Sequence, residues 1–253
     1  MSKVNAVILA GAPADAGMNP GGEPISRAMI DIGGKTMLQW MVDALRKSAS
    51  LGKIVAVGNV QAGGLDAVIQ PGESLMDNMK KGIDTLESDE PVLILSSDIP
   101  LITAESVEDF LNRAMALDVD LAYPIIPKTY CEKRYPELKR TYLKTANGVF
   151  TGGNIMLVRP EFVENNWETI ASTYAARKHV LKLARIVGVD VLLRVLLAQL
   201  MPSVLKISML ERAVSRMLDA EVRAVVSAYP EIGEDVDKPS DLEVVRRIMS
   251  VSK

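Results

Sequence analysis

Two aspartates that follow apolar runs are the residues best suited to chemistry in this chain. Asp98 lies just after the run Leu-Ile-Leu-Ser at residues 93–96, and Asp237 lies in an acidic segment at residues 233–242. In an open α/β sheet, ligands bind where the strands end. Mg²⁺ is usually held by one or two carboxylates together with substrate phosphates. The two aspartates therefore predict a Mg²⁺ site that serves phosphate chemistry.

Simpler explanations exist for both aspartates. Asp98 is closely followed by a proline and could only form a turn, because Asp favours such positions. Asp237 could belong to a loop that enters the last helix, with Ser240 or Asp241 as the N-cap. Asp235 is a rival ligand, because residues two apart along a strand point to the same face.

A glycine-rich loop near the start of the chain could bind phosphate. Ala10, Gly11 and Ala12 follow a short apolar run, and further Gly and Pro residues continue the loop for more than ten positions. Glycine lets backbone N–H groups come close to phosphate oxygens. Arg27, directly after the loop, could neutralise a triphosphate or could be a solvated surface residue. The loop lacks the glycine spacing of dinucleotide-binding turns, and Met29 stands where a P-loop would need Gly.

Composition limits the class of protein and its partners. The chain has 253 residues with 48% hydrophobic residues, which is enough for a large core. A net charge of −3 provides no basic field for nucleic acid, so no nucleic-acid partner is expected. The single cysteine, Cys131, excludes an internal disulfide and fits a cytoplasmic location.

The elements that must position these residues alternate between strands and helices. Strands are predicted at residues 4–10, 53–57, 92–96 and 120–123, and helices at residues 36–46, 74–86 and 104–115. The helix at 74–86 is expected to bury Leu75, Met79, Ile83 and Leu86. Short apolar runs that alternate with helices indicate βαβ units and a mainly parallel sheet.

The second half of the chain is less regular. Strands are predicted at residues 139–144, 154–158 and 220–227, several helices between 160 and 218, and a closing helix at 242–249. Asn147-Gly148 is a hairpin-turn signal. We predict one domain over residues 1–253, with a Rossmann-like three-layer α/β/α fold, a mainly parallel mixed sheet, and a helical insertion at about 161–218.

A long apolar stretch at residues 180–201 lies in this insertion. Its four charged residues argue against a membrane-spanning helix, and Gly188 is expected to divide it into two short helices. An amphipathic helical hairpin packed on the sheet is the simpler explanation. The alternative is that residues 177–201 form a basic, apolar surface that contacts a membrane or an amphiphilic acceptor.

The order of these features resembles the MobA-like branch of the nucleotidyltransferases, NTP transferases with a glycosyltransferase-A-like fold. The resemblance rests on the first loop with Arg27, on Ala-Met-Ile-Asp-Ile-Gly-Gly-Lys-Thr-Met at residues 28–37, on Asp-Ile-Pro at residues 98–100, and on Asp-Lys-Pro-Ser-Asp-Leu at residues 237–242. It covers about residues 1–125, 148–160 and 220–249. Two positions depart from the family pattern: Ala12 replaces a second Gly, and Arg27 replaces a Lys.

The resemblance implies an enzyme that transfers a nucleoside monophosphate from an NTP to a phosphorylated small-molecule acceptor and releases pyrophosphate. It implies that Asp98 and Asp237 are catalytic Mg²⁺ ligands and that Arg27 is a catalytic residue that binds the phosphates. The other implied contacts with phosphate, base, ribose or acceptor are Ala10, Gly11, Ala12, Gly72, Ser74, Asn78, Gly153 and Asn154. Basic residues that could bind the acceptor's phosphate are Lys139, Arg140 and Lys144.

Two other functions stay open. A non-catalytic nucleotide-binding regulatory protein would fit the irregular first loop. A glycosyltransferase that uses a nucleotide-sugar is less favoured, because such enzymes usually carry Asp-x-Asp at the metal strand and Ser96 stands at the first of these positions. Release of pyrophosphate would distinguish nucleotidyl transfer from both.

Overall fold

A computed structural model of the protein describes residues 3–176 and 188–251. Its strands are β1 (Val4–Leu9), β2 (Asp31–Ile32), β3 (Lys35–Thr36), β4 (Leu51–Val57), β5 (Ala67–Ile69), β6 (Val92–Ser96), β7 (Leu121–Pro127), β8 (Leu143–Thr145), β9 (Gly148–Gly152), β10 (Ile155–Val158) and β11 (Val222–Val226). Its helices are α1 (Met37–Leu45), α2 (Leu75–Leu86), α3 (Ala104–Met115), α4 (Lys128–Arg134), α5 (Pro160–Asn165), α6 (Trp167–Ala176), α7 (Val189–Ala198), α8 (Ile207–Leu218) and α9 (Pro239–Val251).

One large sheet organises the fold. Its strands follow the order β5-β4-β1-β6-β10-β7-β9-β8, and β11 pairs with the other edge of β7. Strands β5, β4, β1 and β6 are parallel, and so are β7 and β11. Strand β10 runs antiparallel to both β6 and β7, and β9 and β8 form an antiparallel hairpin beside β7. The predicted mainly parallel mixed sheet is therefore confirmed.

Helices cover both faces of the sheet and complete the three-layer α/β/α architecture. Helices α1, α3 and α4 pack on one face around Phe110, which is fully buried. Helices α2, α5, α6 and α8 contribute to the cluster on the other face. A third apolar cluster joins the first loop, through Met18, to α9, through Leu242 and Val245. This third cluster lies under the ends of the strands that carry the candidate site.

The first half of the chain follows local sequence patterns closely. Strand β6 and helix α3 have the predicted bounds, and Thr103 caps α3 in a capping box with Ser106. The predicted inward position of Leu75 is wrong: Leu75 is 36% exposed and Met76 is buried instead. Leu75 is the first residue of α2, where a side chain points back over the N-terminus and has no preceding turn to pack against.

The structure departs from the prediction at several elements, most of them in the middle of the chain. The strand expected at residues 139–144 is only β8, which begins at Leu143. Helix α4 was not predicted, because its sequence is mostly charged and polar and has no apolar stripe. Strands β5 and β9 were also missed; β5 has three residues and lies at the sheet edge, where Val68 is exposed.

In the described parts of residues 160–218, the region predicted to be a helical insertion, the α-helices are α5, α6, α7 and α8. Gly188 precedes α7 with a φ of +106°, a conformation that favours glycine. The expected first half of the apolar hairpin, residues 177–187 with His179, lies outside the described residues. Within the described part of the chain, none of the helices combines the length and hydropathy that a bilayer crossing requires.

Candidate active site

Three aspartates meet where β6 ends. Asp98 lies two residues after the last residue of β6, and its backbone oxygen accepts a hydrogen bond of 2.9 Å from the N–H of Val236. This bond joins the acidic C-terminal segment to the strand end. One carboxylate oxygen each from Asp98, Asp235 and Asp237 lies within 4.8 Å of the others. The structure thus brings together the two predicted aspartates and also the rival ligand Asp235.

Arg27 lies between two of these carboxylates. Its Nη1 donates to Asp98 Oδ2 at 2.9 Å and to Asp237 Oδ1 at 2.5 Å. The Arg27 side chain is 19% exposed, and those of Asp98 and Asp237 are 16% and 55% exposed. The Ser96 hydroxyl donates to the other oxygen of Asp98 at 2.6 Å and orients that carboxylate. A single cation therefore already bridges the two predicted metal ligands.

The position of Arg27 follows from the way the first loop closes. The hydroxyl of Ser26 donates to Ala10 O at 2.6 Å, and the N–H of Arg27 donates to Ala12 O at 2.9 Å. These bonds join the exit of the long loop to the end of β1. Arg27 begins a short 3₁₀ turn, Arg27–Met29, for which Ser26 is the N-cap. The loop can therefore be long without leaving Arg27 free to move.

A second ion pair flanks the acidic cluster. Arg140 pairs with Asp235, and both side chains are less than one-fifth exposed. Lys139, Arg140 and Lys238 line a polar cavity of about 280 Å³ together with acidic residues of the C-terminal segment. A guanidinium or an ammonium group can form charge-assisted hydrogen bonds with a phosphate group, but the four carboxyl groups that line the same cavity oppose an anion unless they are neutralised. Lys144 instead donates to Gln199 O at 2.9 Å.

A buried carboxyl group lies behind this cavity. Glu234 is fully buried, and among the described residues no nitrogen or oxygen donor forms a hydrogen bond with its carboxylate; its interaction with the Cys131 thiol acts to lower its pKa. Burial raises the pKa of Glu234 to about 7, while the nearby charge of Arg140 acts in the opposite direction. Burial also raises the pKa of Cys131 to about 12, and the negative charge of Glu234 adds to this effect.

The predicted nucleotide-side residues connect two loops. Asn78 is buried, and its Oδ1 accepts from the N–H of Gly72 at 2.6 Å. A Cβ at Gly11 would lie 2.6 Å from Asn78 Nδ2, so any residue larger than glycine at position 11 would clash with Asn78. Ser74 is the N-cap of α2. Its hydroxyl donates a hydrogen bond to the carboxylate of Asp77 and accepts one from the backbone N–H of Asp77. Contacts of these residues with base or ribose stay predictions.

The predicted acceptor-side residues connect the sheet to the C-terminal segment. The N–H of Asn154 donates to Ile232 O at 2.7 Å, and its backbone oxygen accepts from Ser96 N at 3.0 Å. Its side-chain amide nitrogen donates to Gly233 O at 3.4 Å. A Cβ at Gly153 would lie 2.7 Å from Pro124 Cγ and 3.2 Å from Ile232 O, which explains the glycine. Contact of Gly153 or Asn154 with an acceptor stays a prediction.

Sequence reasoning missed Glu234, because a glutamate in a run of acidic residues gives no signal that it is buried. It also missed that Arg140 pairs with Asp235, although it weighed both residues separately. Three carboxylates and two arginines at strand ends form a site of mixed charge. Such a site can hold a divalent cation through carboxylate oxygens and phosphate groups through guanidinium groups.

Comparisons with known proteins agree with this chemistry. Residues 6–200 match the family of MobA-like NTP transferase domains. A solved structure of a hypothetical transferase from Thermus thermophilus is 34% identical, with a TM-score of 0.83; the match covers 95% of this chain and 99% of that chain. No curated protein matches the sequence.

More distant solved structures share the fold. A CMP:2-keto-3-deoxy-manno-octonic acid synthetase complexed with CTP is 17% identical, with a TM-score of 0.62 and full coverage of both chains. A 2-C-methyl-D-erythritol 4-phosphate cytidylyltransferase, also from Thermus thermophilus, is 18% identical, with a TM-score of 0.56; the match covers 99% of this chain and 100% of that chain. At these identities the likeness shows the fold alone.

Proposed function

The chain belongs to the MobA-like NTP transferase family, and from this premise we propose that it transfers a nucleoside monophosphate from an NTP to a phosphorylated small-molecule acceptor. The observation that carries the proposal is the bridge from Arg27 to Asp98 and Asp237 at the end of β6. It joins the phosphate-binding loop to both predicted metal ligands. A cytoplasmic location, predicted from the single cysteine, is part of the proposal.

The reaction needs little covalent work from the protein. A phosphate oxygen of the acceptor attacks the α-phosphorus of the NTP, the bond from that phosphorus to the bridging oxygen breaks, and pyrophosphate leaves. Positioning and neutralisation of charge supply most of the rate in such transfers. Arg27 would exchange its carboxylate partners for phosphate oxygens, which its planar guanidinium can bind in pairs.

The donor set fits Mg²⁺. Carboxylate oxygens are the protein ligands that this hard cation prefers, and Asp98 and Asp237 already share one cationic group. We propose that these two residues hold Mg²⁺, with Asp235 as a third candidate. When bound there, Mg²⁺ would neutralise charge on the phosphoryl oxygens. Arg140, which pairs with Asp235, keeps one of the three carboxylates neutralised.

The acceptor side supports a phosphorylated acceptor. Lys139, Arg140 and Lys238 line the polar cavity next to Asp235 and Asp237, so a phosphate group could pair with cations there once Mg²⁺ neutralises the neighbouring carboxylates. One structural neighbour is named for a polyol phosphate acceptor, 2-C-methyl-D-erythritol 4-phosphate. We include an acceptor of this general class in the proposal and leave the base of the NTP open.

Two measurements test the proposal. A thermal-shift screen with each of the four ribonucleoside triphosphates and Mg²⁺ identifies the nucleotide. A nucleotide at a hundred times its Kd should raise the free energy of unfolding by about 2.7 kcal/mol, which shifts the melting temperature measurably. Pyrophosphate release is then measured with a panel of sugar and polyol phosphates. Asp98→Asn should lower kcat by at least about 100-fold, as expected when electrostatic stabilisation is lost. Asp89→Asn, at an exposed position, is the matched control.

The alternatives give different results. Saturable NTP binding without pyrophosphate release from any acceptor would indicate a regulatory nucleotide-binding protein. Release of a nucleoside diphosphate from a nucleotide-sugar would indicate a glycosyltransferase. Full activity of Asp98→Asn would contradict the metal assignment.

A further inference from the structure

Each of the three carboxylates in the acidic cluster already has a cationic partner. Arg27 bridges Asp98 and Asp237, and Arg140 pairs with Asp235. A metal ion that enters the cluster must therefore compete with two guanidinium groups for the same oxygens. Under the proposed function the NTP relieves the competition with Arg27, because it brings phosphate oxygens that this guanidinium can bind instead. Arg140 lies in the wall of the polar cavity and would need a partner there.

The pair of Arg140 and Asp235 is held in place by packing of the backbone on both sides. Arg140 lies in the connection between α4 and β8, two residues after Leu138, and Asp235 directly precedes Val236. Leu138 and Val236 are buried in the same apolar cluster, which holds the two chain segments beside each other. The N–H of Val236 is also bonded to Asp98 O. A change of partner by Arg140 therefore needs only a rotation of its side chain.

Arg140 is incompletely satisfied in this pair. Its side chain is 15% exposed, and its Nε is buried without a hydrogen-bond partner among the described residues. A guanidinium group has five N–H donors, and a buried donor without an acceptor costs free energy. A phosphate group has several acceptor oxygens, two of which a guanidinium can bind at once. A phosphate in the polar cavity can therefore compete with Asp235 for Arg140.

Asp235 is placed to become a metal ligand once Arg140 leaves it. One of its oxygens lies within 4.8 Å of an oxygen from each of Asp98 and Asp237. Four carboxyl groups line the polar cavity, so they oppose an anion there unless a cation neutralises them. Metal and phosphate therefore favour each other. The phosphate removes the guanidinium that blocks Asp235, and the metal removes the negative charge that repels the phosphate; such coupling is necessarily reciprocal.

We propose that Arg140 makes metal binding depend on the phosphate of the acceptor. Without a phosphate in the polar cavity, Arg140 holds Asp235, and the metal has only Asp98 and Asp237 as protein ligands. With a phosphate there, Arg140 binds it and Asp235 becomes the third ligand. An acceptor without a phosphate leaves the metal site incomplete, so the enzyme selects phosphorylated acceptors. This inference rests on the proposed function, because it states how the same site recognises its acceptor.

Binding of Mn²⁺, used as a probe for Mg²⁺, tests the competition without turnover. In calorimetric titration without phosphate, Arg140→Gln should bind Mn²⁺ at least about fivefold more tightly than the wild type, the lower end of the usual coupling between sites. Lys139→Gln is the matched control, because it removes the same charge from an exposed residue of the same cavity, and it should change the Kd much less.

The two variants can also contradict the proposal. An equal change in Arg140→Gln and Lys139→Gln would show only a general effect of charge and would overturn it. Weaker binding of Mn²⁺ by Arg140→Gln would show that Arg140 positions the metal ligands instead of competing with the metal, and would overturn it as well.

Asp235→Asn tests the third ligand, also if Arg140→Gln does not fold. Inorganic phosphate should lower the Kd of the wild type for Mn²⁺ at least about fivefold. Without phosphate, Asp235→Asn should bind Mn²⁺ nearly as the wild type does, since Arg140 holds that carboxylate in the wild type. It should lose most of the gain from phosphate. A titration without protein corrects for Mn²⁺ bound by phosphate in solution. Loss of affinity already without phosphate, or no loss in either condition, would overturn the proposal.

Pyrophosphate release separates this inference from the proposed function. Release from an NTP and a phosphorylated acceptor, together with a Mn²⁺ affinity that does not respond to phosphate, would overturn the role of Arg140 and leave nucleotidyl transfer in place. Coupled binding of Mn²⁺ and phosphate that depends on Asp235, without pyrophosphate release from any acceptor, would support the role of Arg140 and overturn nucleotidyl transfer.

Discussion

The nucleotide side and the acceptor side of the candidate site are built differently. On the side predicted to bind the nucleotide, hydrogen bonds join Ser26 to Ala10, Arg27 to Asp98, and Asn78 to Gly72, while Arg27 Nε is buried without a hydrogen-bond partner among the described residues. On the acceptor side, a polar and an apolar cavity flank β9, Glu234 is buried without a nitrogen or oxygen donor among the described residues, and α7 exposes leucines. Under the proposed function, the part of the site that would carry out the common step is tied by hydrogen bonds between its loops, while the part that would fit one particular acceptor is more open.

Of the two sides, the one predicted to bind the nucleotide should show the larger effect, at Arg27. Arg27→Gln should lower kcat by about 100-fold, because it removes the cation that we expect to face the phosphates. Arg27→Lys should restore part of the rate, since lysine keeps the positive charge but lacks the planar guanidinium group that binds two phosphate oxygens at once. Arg113→Gln, exposed on α3, is the control. A steady-state assay of pyrophosphate release measures all three variants. Equal kcat values for Arg27→Gln and the control Arg113→Gln would show that catalysis does not need Arg27, and would contradict the contrast drawn between the two sides.

On the acceptor side, we expect Glu234 to make stability depend on pH. Its pKa is about 7 in the folded protein and near 4.5 when unfolded, so the folded state holds the proton more tightly. As pH rises from 4.5 to 7, the unfolded state loses this proton first and stability falls, by an amount on the order of 3 kcal/mol.

Glu234→Gln removes this titration. The melting temperature of the variant minus that of the wild type, measured in EDTA, should therefore be larger at pH 8 than at pH 5. At about 2–4 °C per kcal/mol, the difference should be roughly 5–10 °C. A difference that does not change with pH would show that the carboxyl group is not held protonated.

A smaller effect is expected where the first loop passes Asn78. Gly11→Ala would place a Cβ 2.6 Å from Asn78 Nδ2 and should cost about 1–3 kcal/mol. Gly63→Ala is the matched control, because its nearest atom would be 3.6 Å away. Chemical denaturation measures both variants. Equal stability of the two would show that the nucleotide side is looser than its hydrogen bonds suggest.

The smallest effect is expected at the exposed rim of the polar cavity. Lys139→Gln should raise the acceptor KM by about threefold and leave the NTP KM unchanged, since an exposed charge contributes at most about 1 kcal/mol. Added salt should reduce the difference. An increase in the NTP KM instead would assign Lys139 to the nucleotide side.

Much of the fold could be predicted because its elements carry local patterns. Strand β6 is a short apolar run, and α3 combines a capping residue with a periodic apolar face. Helix α4 and strand β9 carry no such pattern. Strand β9 forms because β7 extends past β10 and needs a partner along the rest of its edge. Pairing of that kind depends on residues far apart in sequence.

The candidate site, like the fold, has parts that the sequence predicts and parts that it does not. The sequence predicted that Asp98 and Asp237 would share one cleft, because each follows an apolar run in the order typical of the family. It did not predict that Arg27 would bridge them, or that Glu234 would be buried next to exposed Asp237. Side-chain pairing and burial of single charged residues depend on packing in three dimensions, which a single sequence does not reveal.

The hydrogen bond from Val236 to Asp98 also affects when the candidate site can form during synthesis of the chain. The loop that carries Arg27 is made early in synthesis, whereas Asp237 and the helix that packs on Met18 are made late. A nascent chain that has not yet reached these late residues would lack one carboxylate and the support beneath the loop. Contacts between such distant segments also slow folding. Catalytic competence should therefore arise in a single late step, after translation has passed the whole sheet.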